Sequence, residues 1–286
     1  MHCAVYVFTT MYTTWRKKNN RKTKQNDACP SLHHPQRVRG VREPCTLRPG
    51  PAQLPHIHQL VLDAAEVLNI PPPQLYIRQS SQPNAYTLAI SGREPVVVVH
   101  TALIELMTEA ELQAVIAHEM GHLKCDHGVW LTVANLLTLG VEILPIAPSF
   151  VVGNLQDNLM RWVRAAELSC DRAALLVAGD PKVVVSVLMK LSGGCPKLAT
   201  QLNVDAFLDQ ARGYDEASNS PLGWYLRNAQ TRQLTHPLPV ARAREIDEWA
   251  RSAEFKALGV APAPAPAGLT DHEYRSSTIG ECEPAE

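Results

Sequence analysis

Leu112-Gln113-Ala114-Val115-Ile116-Ala117-His118-Glu119-Met120-Gly121-His122 reads as an apolar helix that carries two imidazoles and a carboxylate. A helix turns by roughly 100° per residue, so His118 and His122 lie about 40° apart on one face, one turn from each other. Two imidazoles at that spacing can share one zinc ion, while Glu119 projects beside them, placed to polarise water at the metal and not to bind it. Thr108-Glu109-Ala110-Glu111 just upstream is a capping box, so the helix starts there and the histidines fall in its middle. Burying two imidazoles and a carboxylate with no partner cation would be expensive. The pattern is that of a metallopeptidase.

Such a site needs a third ligand, and Trp162 to Ala174 offers one. The segment is alanine-rich and helical in pattern, with Glu167 and Asp171 four residues apart on one face. Glu167 can complete a His-His-Glu site whose fourth position is left to water, and Asp171 can accept the second ring N–H of a ligating histidine. The competing reading is a solvated acidic face, and the apolar flanks speak against it.

Three blocks in order, His118-Glu119-x-x-His122, Glu167-x-x-x-Asp171 and Thr235-His236-Pro237 followed by Arg242, resemble the HtpX-like zinc metallopeptidases, relatives of the CAAX prenyl proteases. The likeness runs from His56 to about Leu258. Asn84-Ala85-Tyr86-Thr87-Leu88 and His236-Pro237-Leu238-Pro239-Val240 look like the plant chloroplast, plastoglobule-type branch. The resemblance implies one Zn2+ per chain, a protein or peptide substrate, cleavage by a zinc-activated water with Glu119 taking the proton, and work in membrane-associated protein quality control or turnover. It also implies that His236 meets the developing oxyanion, with Arg242 orienting or adding charge. A chloroplast address at plastoglobule or thylakoid is implied too, another membrane-associated intracellular site being the alternative.

Neighbouring residues do not fit a different zinc class. A metzincin needs glycine three residues after the second histidine, where Cys125 stands, followed here by Asp126-His127. Continued as helix, His127 falls about 140° round from His122 and points away from the metal. Cys125 and Cys170 each lie three residues past an expected ligand and read as buried, inert thiols that can be neighbours in space.

The fold class expected is α+β, mainly helical: a gluzincin-type zinc metallopeptidase domain with a small antiparallel sheet, over residues 55–258. Residues 1–54 form a basic, disordered or targeting segment. Residues 1–50 hold ten Lys or Arg against Asp27 and Glu43, although the net charge of the 286-residue chain is -1 and advertises no nucleic-acid partner. Residues 259–286 form an Ala/Pro-rich tail that cannot enter a core. Seven cysteines without a Cys-x-x-Cys pair argue for reduced thiols.

Inside the domain, His58 to Leu68 has helical spacing and Pro71-Pro72-Pro73 stops it. Leu75 to Arg78, Ala85 to Ile90 and Val96 to His100 are β-rich. An edge strand beginning at Asn84 and Ala85 would pair with an extended substrate backbone, or else be an ordinary buried strand. Helices are expected from Asp180-Pro181 through Leu191, from Val204 to Ala211 and from Pro239 to Ala257. Val129 to Val152 is mainly apolar but contains Glu142, Pro145 and Pro148, which favours packing in the core or dipping into a membrane or lipid-droplet surface over a single span. Two rivals to the peptidase remain: a catalytically silent zinc-bearing scaffold, against which Glu119 argues, and a membrane assembly protein, supported only by that apolar run.

Overall fold

Four consecutive valines set the sheet. In the computed structural model, which describes residues 46–89, 94–143, 149–218 and 238–260, β1 (Thr46–Leu47), β2 (Gln74–Arg78), β3 (Ala85–Leu88) and β4 (Val96–His100) form one sheet in the order β1-β2-β4-β3. All four valines of β4 are buried, so this strand takes the centre, parallel to β2 and antiparallel to β3. The sheet is therefore mixed, which corrects the antiparallel expectation. Sequential pairing would have put β3 in the middle, but β3 alternates between buried and half-buried positions and suits an edge. β1, within the segment expected to lie outside the domain, pairs antiparallel with β2.

Nine α-helices are described. α1 (Pro55–Leu68) buries Ile57, Val61, Ala64, Ala65 and Leu68 and ends at Asn69, whose left-handed φ of 49° lets its N–H reach back to the last carbonyls before the prolines begin. α2 (Thr101–Leu106) follows β4 directly and is not apparent in the sequence pattern. α3 (Glu109–Lys124) carries the His-Glu-x-x-His motif and is buried at every position from Glu111 to His122. Both capping-box bonds form, Glu111 N–H to Thr108 Oγ1 at 3.3 Å and Thr108 N–H to Glu111 Oε2 at 2.8 Å.

α4 (His127–Ile143) and α5 (Ser149–Ala178) follow, then α6 (Pro181–Gly193), opened by the Asp180 side chain accepting from Lys182 N–H at 2.8 Å. A 3-10 turn (Ala199–Gln201) leads to α7 (Val204–Ser218). The helix expected over Pro239 to Ala257 is two, α8 (Pro239–Arg251) and α9 (Ala253–Ala257). Ser252 is extended between them, and its hydroxyl accepts from Phe255 N–H.

The apolar run Val129 to Val152 is divided between α4 and the start of α5, with residues 144–148 outside the described part. Leu131 of α4 packs on Leu159 and Val163 of α5, while Val129, Trp130, Val133, Leu136 and Leu137 are exposed. Among the described residues no helix is long and apolar enough to cross a membrane. Buried Lys190 of α6 meets Glu111 at 2.6 Å, and Ser186 donates to the same carboxylate at 2.6 Å, so a satisfied polar group ties the start of the motif helix to α6.

Candidate metal centre

α3 and α5 pack face to face, and their contact brings the sequence-predicted ligands together. His118 Nε2 lies 3.6 Å from Glu167 Oε2, and His122 Nε2 lies 3.5 Å from Glu167 Oε1. Glycine in the motif permits this approach. A Cβ on Gly121 would stand 3.1 Å from both Ala173 Cβ and the Cys170 backbone, and 3.2 Å from Cys170 Sγ. The motif's glycine is thus a packing residue, a role that the zinc reading of the sequence passed over.

Asp171, one turn beyond Glu167, stands with Oδ1 3.0 Å from His118 Nδ1. On its other side Arg242 of α8 donates Nε–H to Oδ2 at 2.7 Å and an Nη2 hydrogen to Oδ1 at 2.5 Å, a fork-to-carboxylate grip. Arg242 Nη1 is also 3.6 Å from Glu167 Oε2. Burial opposes charge on all of these groups, yet the pairing prevails. Arg242 is pushed above its usual range by Asp171, and Asp171 is held below the usual carboxylate range by Arg242 and His118. His118 is raised to about 9 because Asp171 and Glu167 outweigh its desolvation.

Glu119 is 1% exposed and faces β3. The Thr87 hydroxyl lies 3.0 Å from Glu119 Oε2 and 3.1 Å from the Glu119 carbonyl oxygen, so its single proton is shared between them or given to one. Thr87 was not singled out in the sequence, and only the strand's place against α3 reveals it.

The donor chemistry fits a divalent metal. Two imidazole nitrogens and a carboxylate face one another, and three buried carboxylates, Glu119, Glu167 and Asp171, are set against the Arg242 guanidinium, the one buried arginine among the described residues. Carboxylates thus outnumber the guanidinium around the two imidazoles, a donor set that favours a cation between them. Cys170 is brought close as well: one donor atom each from His118, His122 and Cys170 lies within 4.8 Å of the others. Burial and the surrounding carboxylates, Glu167 foremost, push the Cys170 thiol well above its ordinary range.

His127 stands beyond the end of the motif helix, not on its continuation, and meets His122 at Nδ1, the nitrogen that does not face Glu167. α3 ends at Lys124 and Asp126 takes a left-handed φ of 50°, so the chain turns and α4 begins at His127. Its Nδ1 is 3.1 Å from His122 Nδ1 and 3.5 Å from Cys170 Sγ, and its ring packs edge-on against Trp162. Burial and the neighbouring His122 lower its pKa to about 4.

Of the expected substrate strand, Asn84 precedes β3 and accepts His100 N–H at 2.9 Å, while Ala85 opens it. β3 is the sheet's edge among the described residues, and antiparallel alternation from the Asn84–His100 bond turns the Ala85 backbone away from β4. His236 lies outside the described residues.

Residues 51–250 match the family described as Peptidase family M48. The chain belongs to peptidase family M48. This M48 chain is 70% identical over 206 residues to "Plastoglobule-localized metallopeptidase 48, chloroplastic" of Arabidopsis thaliana, covering 72% of the chain and 60% of that protein. It is 29% identical over 167 residues to "Protease HtpX homolog 2" of Methanosarcina acetivorans, covering 50% of the chain and 56% of the relative. The chain thus spans about three-fifths of the length of the curated relatives it matches. Among solved structures, S. mikatae Ste24p aligns with a TM-score of 0.41 at 17% identity, covering 71% of this M48 chain and 51% of that one.

Proposed function

We propose that this chain is a zinc-dependent metalloendopeptidase that hydrolyses peptide bonds of protein substrates at a lipid surface in the chloroplast, at plastoglobule or thylakoid, in protein quality control or turnover. The observation that carries the reading is the convergence of His118, His122 and Glu167 around one buried point, with the buried Glu119 carboxylate of the same helix hydrogen-bonded by Thr87. His118, His122 and Glu167 would hold the zinc, one per chain. When bound, zinc lowers the pKa of water and polarises the substrate carbonyl.

The chain's own residues do the rest. Glu119 takes the proton from the attacking water and passes it to the leaving amine. Asp171 supports His118 through Nδ1, which favours presentation of Nε2 to the metal. Arg242, its fork on Asp171, acts by orienting that support and by adding positive charge near Glu167. His236 meets the oxyanion, a donor typically worth ~3–4 kcal/mol of barrier. Asn84 and Ala85, at the start of the edge strand, line up the substrate backbone.

The lipid location is supported by the exposed apolar face of α4 and by the printed name of the Arabidopsis relative. The catalytic reading is tested with purified full chain. Glu119→Gln should keep zinc by elemental analysis and lose casein cleavage by several orders of magnitude, whereas Glu167→Ala should lose both. Near wild-type cleavage by Glu119→Gln, or full zinc occupancy in Glu167→Ala, overturns it.

A further inference from the structure

His118 and His122 are supported differently. His118 has a carboxylate at its Nδ1, whereas His122 has another imidazole. Two Nδ1 atoms 3.1 Å apart cannot both carry hydrogen, nor both present lone pairs, so one donates to the other. If His127 donated, His122 would accept at Nδ1 and, being neutral, would carry its hydrogen on Nε2, the atom facing Glu167 Oε1 at 3.5 Å. That tautomer cannot ligate through Nε2. If His122 donates, its Nε2 is left with a lone pair directed toward Glu167.

We propose that His127 is a positioning residue that fixes the metal-competent tautomer of His122 by accepting the His122 Nδ1–H at its own Nδ1. This rests on the zinc reading above and extends it to a residue outside the ligand set. Two further observations support it. Trp162 packs at 88° against the His127 ring, with centroids 5.7 Å apart, which holds the acceptor in place. A neutral acceptor also suits the charge count, because a carboxylate here would add a fourth negative group to Glu119, Glu167 and Asp171. Cys170 Sγ, 3.5 Å from the same nitrogen, competes for one lone pair as the weaker S–H donor, and the imidazole N–H prevails.

The test uses the full chain with zinc, in wild type, His127→Phe and His127→Asn. Phe keeps a ring against Trp162 and removes the acceptor. Asn places a carbonyl oxygen near the position of Nδ1. Competition with a zinc chelator should show affinity 10–100-fold weaker in His127→Phe, with His127→Asn recovering most of the loss and melting of the metal-free proteins unchanged. Nitrogen-15 NMR of zinc-loaded wild type, which needs no variant, should show His122 protonated at Nδ1 and not at Nε2. Wild-type zinc affinity in His127→Phe, or a proton on His122 Nε2, overturns the proposal. His118→Ala serves as the control: if wild type binds zinc no better than this variant, the zinc reading itself falls and this inference with it.

Discussion

Arg242 grips Asp171 through two hydrogen bonds, at 2.7 and 2.5 Å, inside a site where both side chains are almost wholly buried. Removing one member of such a pair leaves an uncompensated buried charge, which typically costs ~3–5 kcal/mol, whereas removing both relieves much of that cost. Asp171→Asn should therefore lower the melting temperature sharply, and Asp171→Asn with Arg242→Met should recover most of the loss. Zinc affinity should behave otherwise. The double variant still lacks the carboxylate at His118 Nδ1, so chelator competition should show ~10–100-fold weaker binding in both. Parallel recovery of stability and affinity would make Asp171 a purely structural partner.

Thr87 and Glu119 give a second prediction. Hydrogen bonds to a charged group are worth about 1.5–3 kcal/mol, and about 1.4 kcal/mol is a factor of ten in rate. Thr87→Val keeps the shape and drops the hydroxyl, so kcat for a peptide substrate should fall roughly 10–100-fold. KM and zinc content should stay near wild type, and Thr87→Ser should restore the rate. Loss of zinc from Thr87→Val would show that the hydroxyl supports the site and not the base.

Spacing along the chain made legible the helices that bring His118, His122 and Glu167 together, because a helix fixes the angle between residues one turn apart. Thr108 and Glu111 announced the motif helix, and Asp180-Pro181 announced α6, through local capping chemistry that the structure repeats bond for bond. What failed was extrapolation past a boundary. The motif helix stops at Lys124 before His127, because Asp126 takes a positive φ, which aspartate adopts more readily than most residues yet still seldom. Strand order was likewise hidden, since four valines tell that β4 is buried on both faces but not which neighbours flank it. Thr87 became visible only once β3 lay against α3.

Gly121 tests how far the site depends on helix packing. Alanine there gains about 0.8–1.0 kcal/mol of helix propensity, but its methyl group meets Ala173 and Cys170 at 3.1–3.2 Å, and overpacking typically costs ~1–3 kcal/mol. Gly121→Ala should thus change stability by no more than ~2 kcal/mol in the destabilising direction. Gly121→Val must separate α3 from α5, and with them the histidines from Glu167, so its zinc affinity should fall far more than that of Gly121→Ala. Equal affinities in the two variants, by chelator competition, would dissociate the metal site from this contact.

The exposed face of α4 gives the last prediction. Val129, Trp130, Val133, Leu136 and Leu137 recur at helical spacing on its outer side, with Leu136 and Leu137 63% and 60% exposed. Leu131 on the inner side is occupied against Leu159 and Val163, so the helix cannot rotate to hide the outer residues without giving up that contact. A contiguous apolar patch of this kind marks an interaction surface, and the proposed lipid location supplies its occupant. Burying one leucine side chain is worth about 1.5–3 kcal/mol, so Leu136→Ser with Leu137→Ser should weaken co-flotation with liposomes by more than about tenfold. Zinc content and melting temperature should not change, because neither residue touches the metal centre. Wild-type protein should leave the vesicles under alkaline carbonate, as expected for a helix that lies in the surface. Carbonate-resistant binding would point to a spanning segment instead, and equal flotation of the variant would remove α4 from the lipid contact.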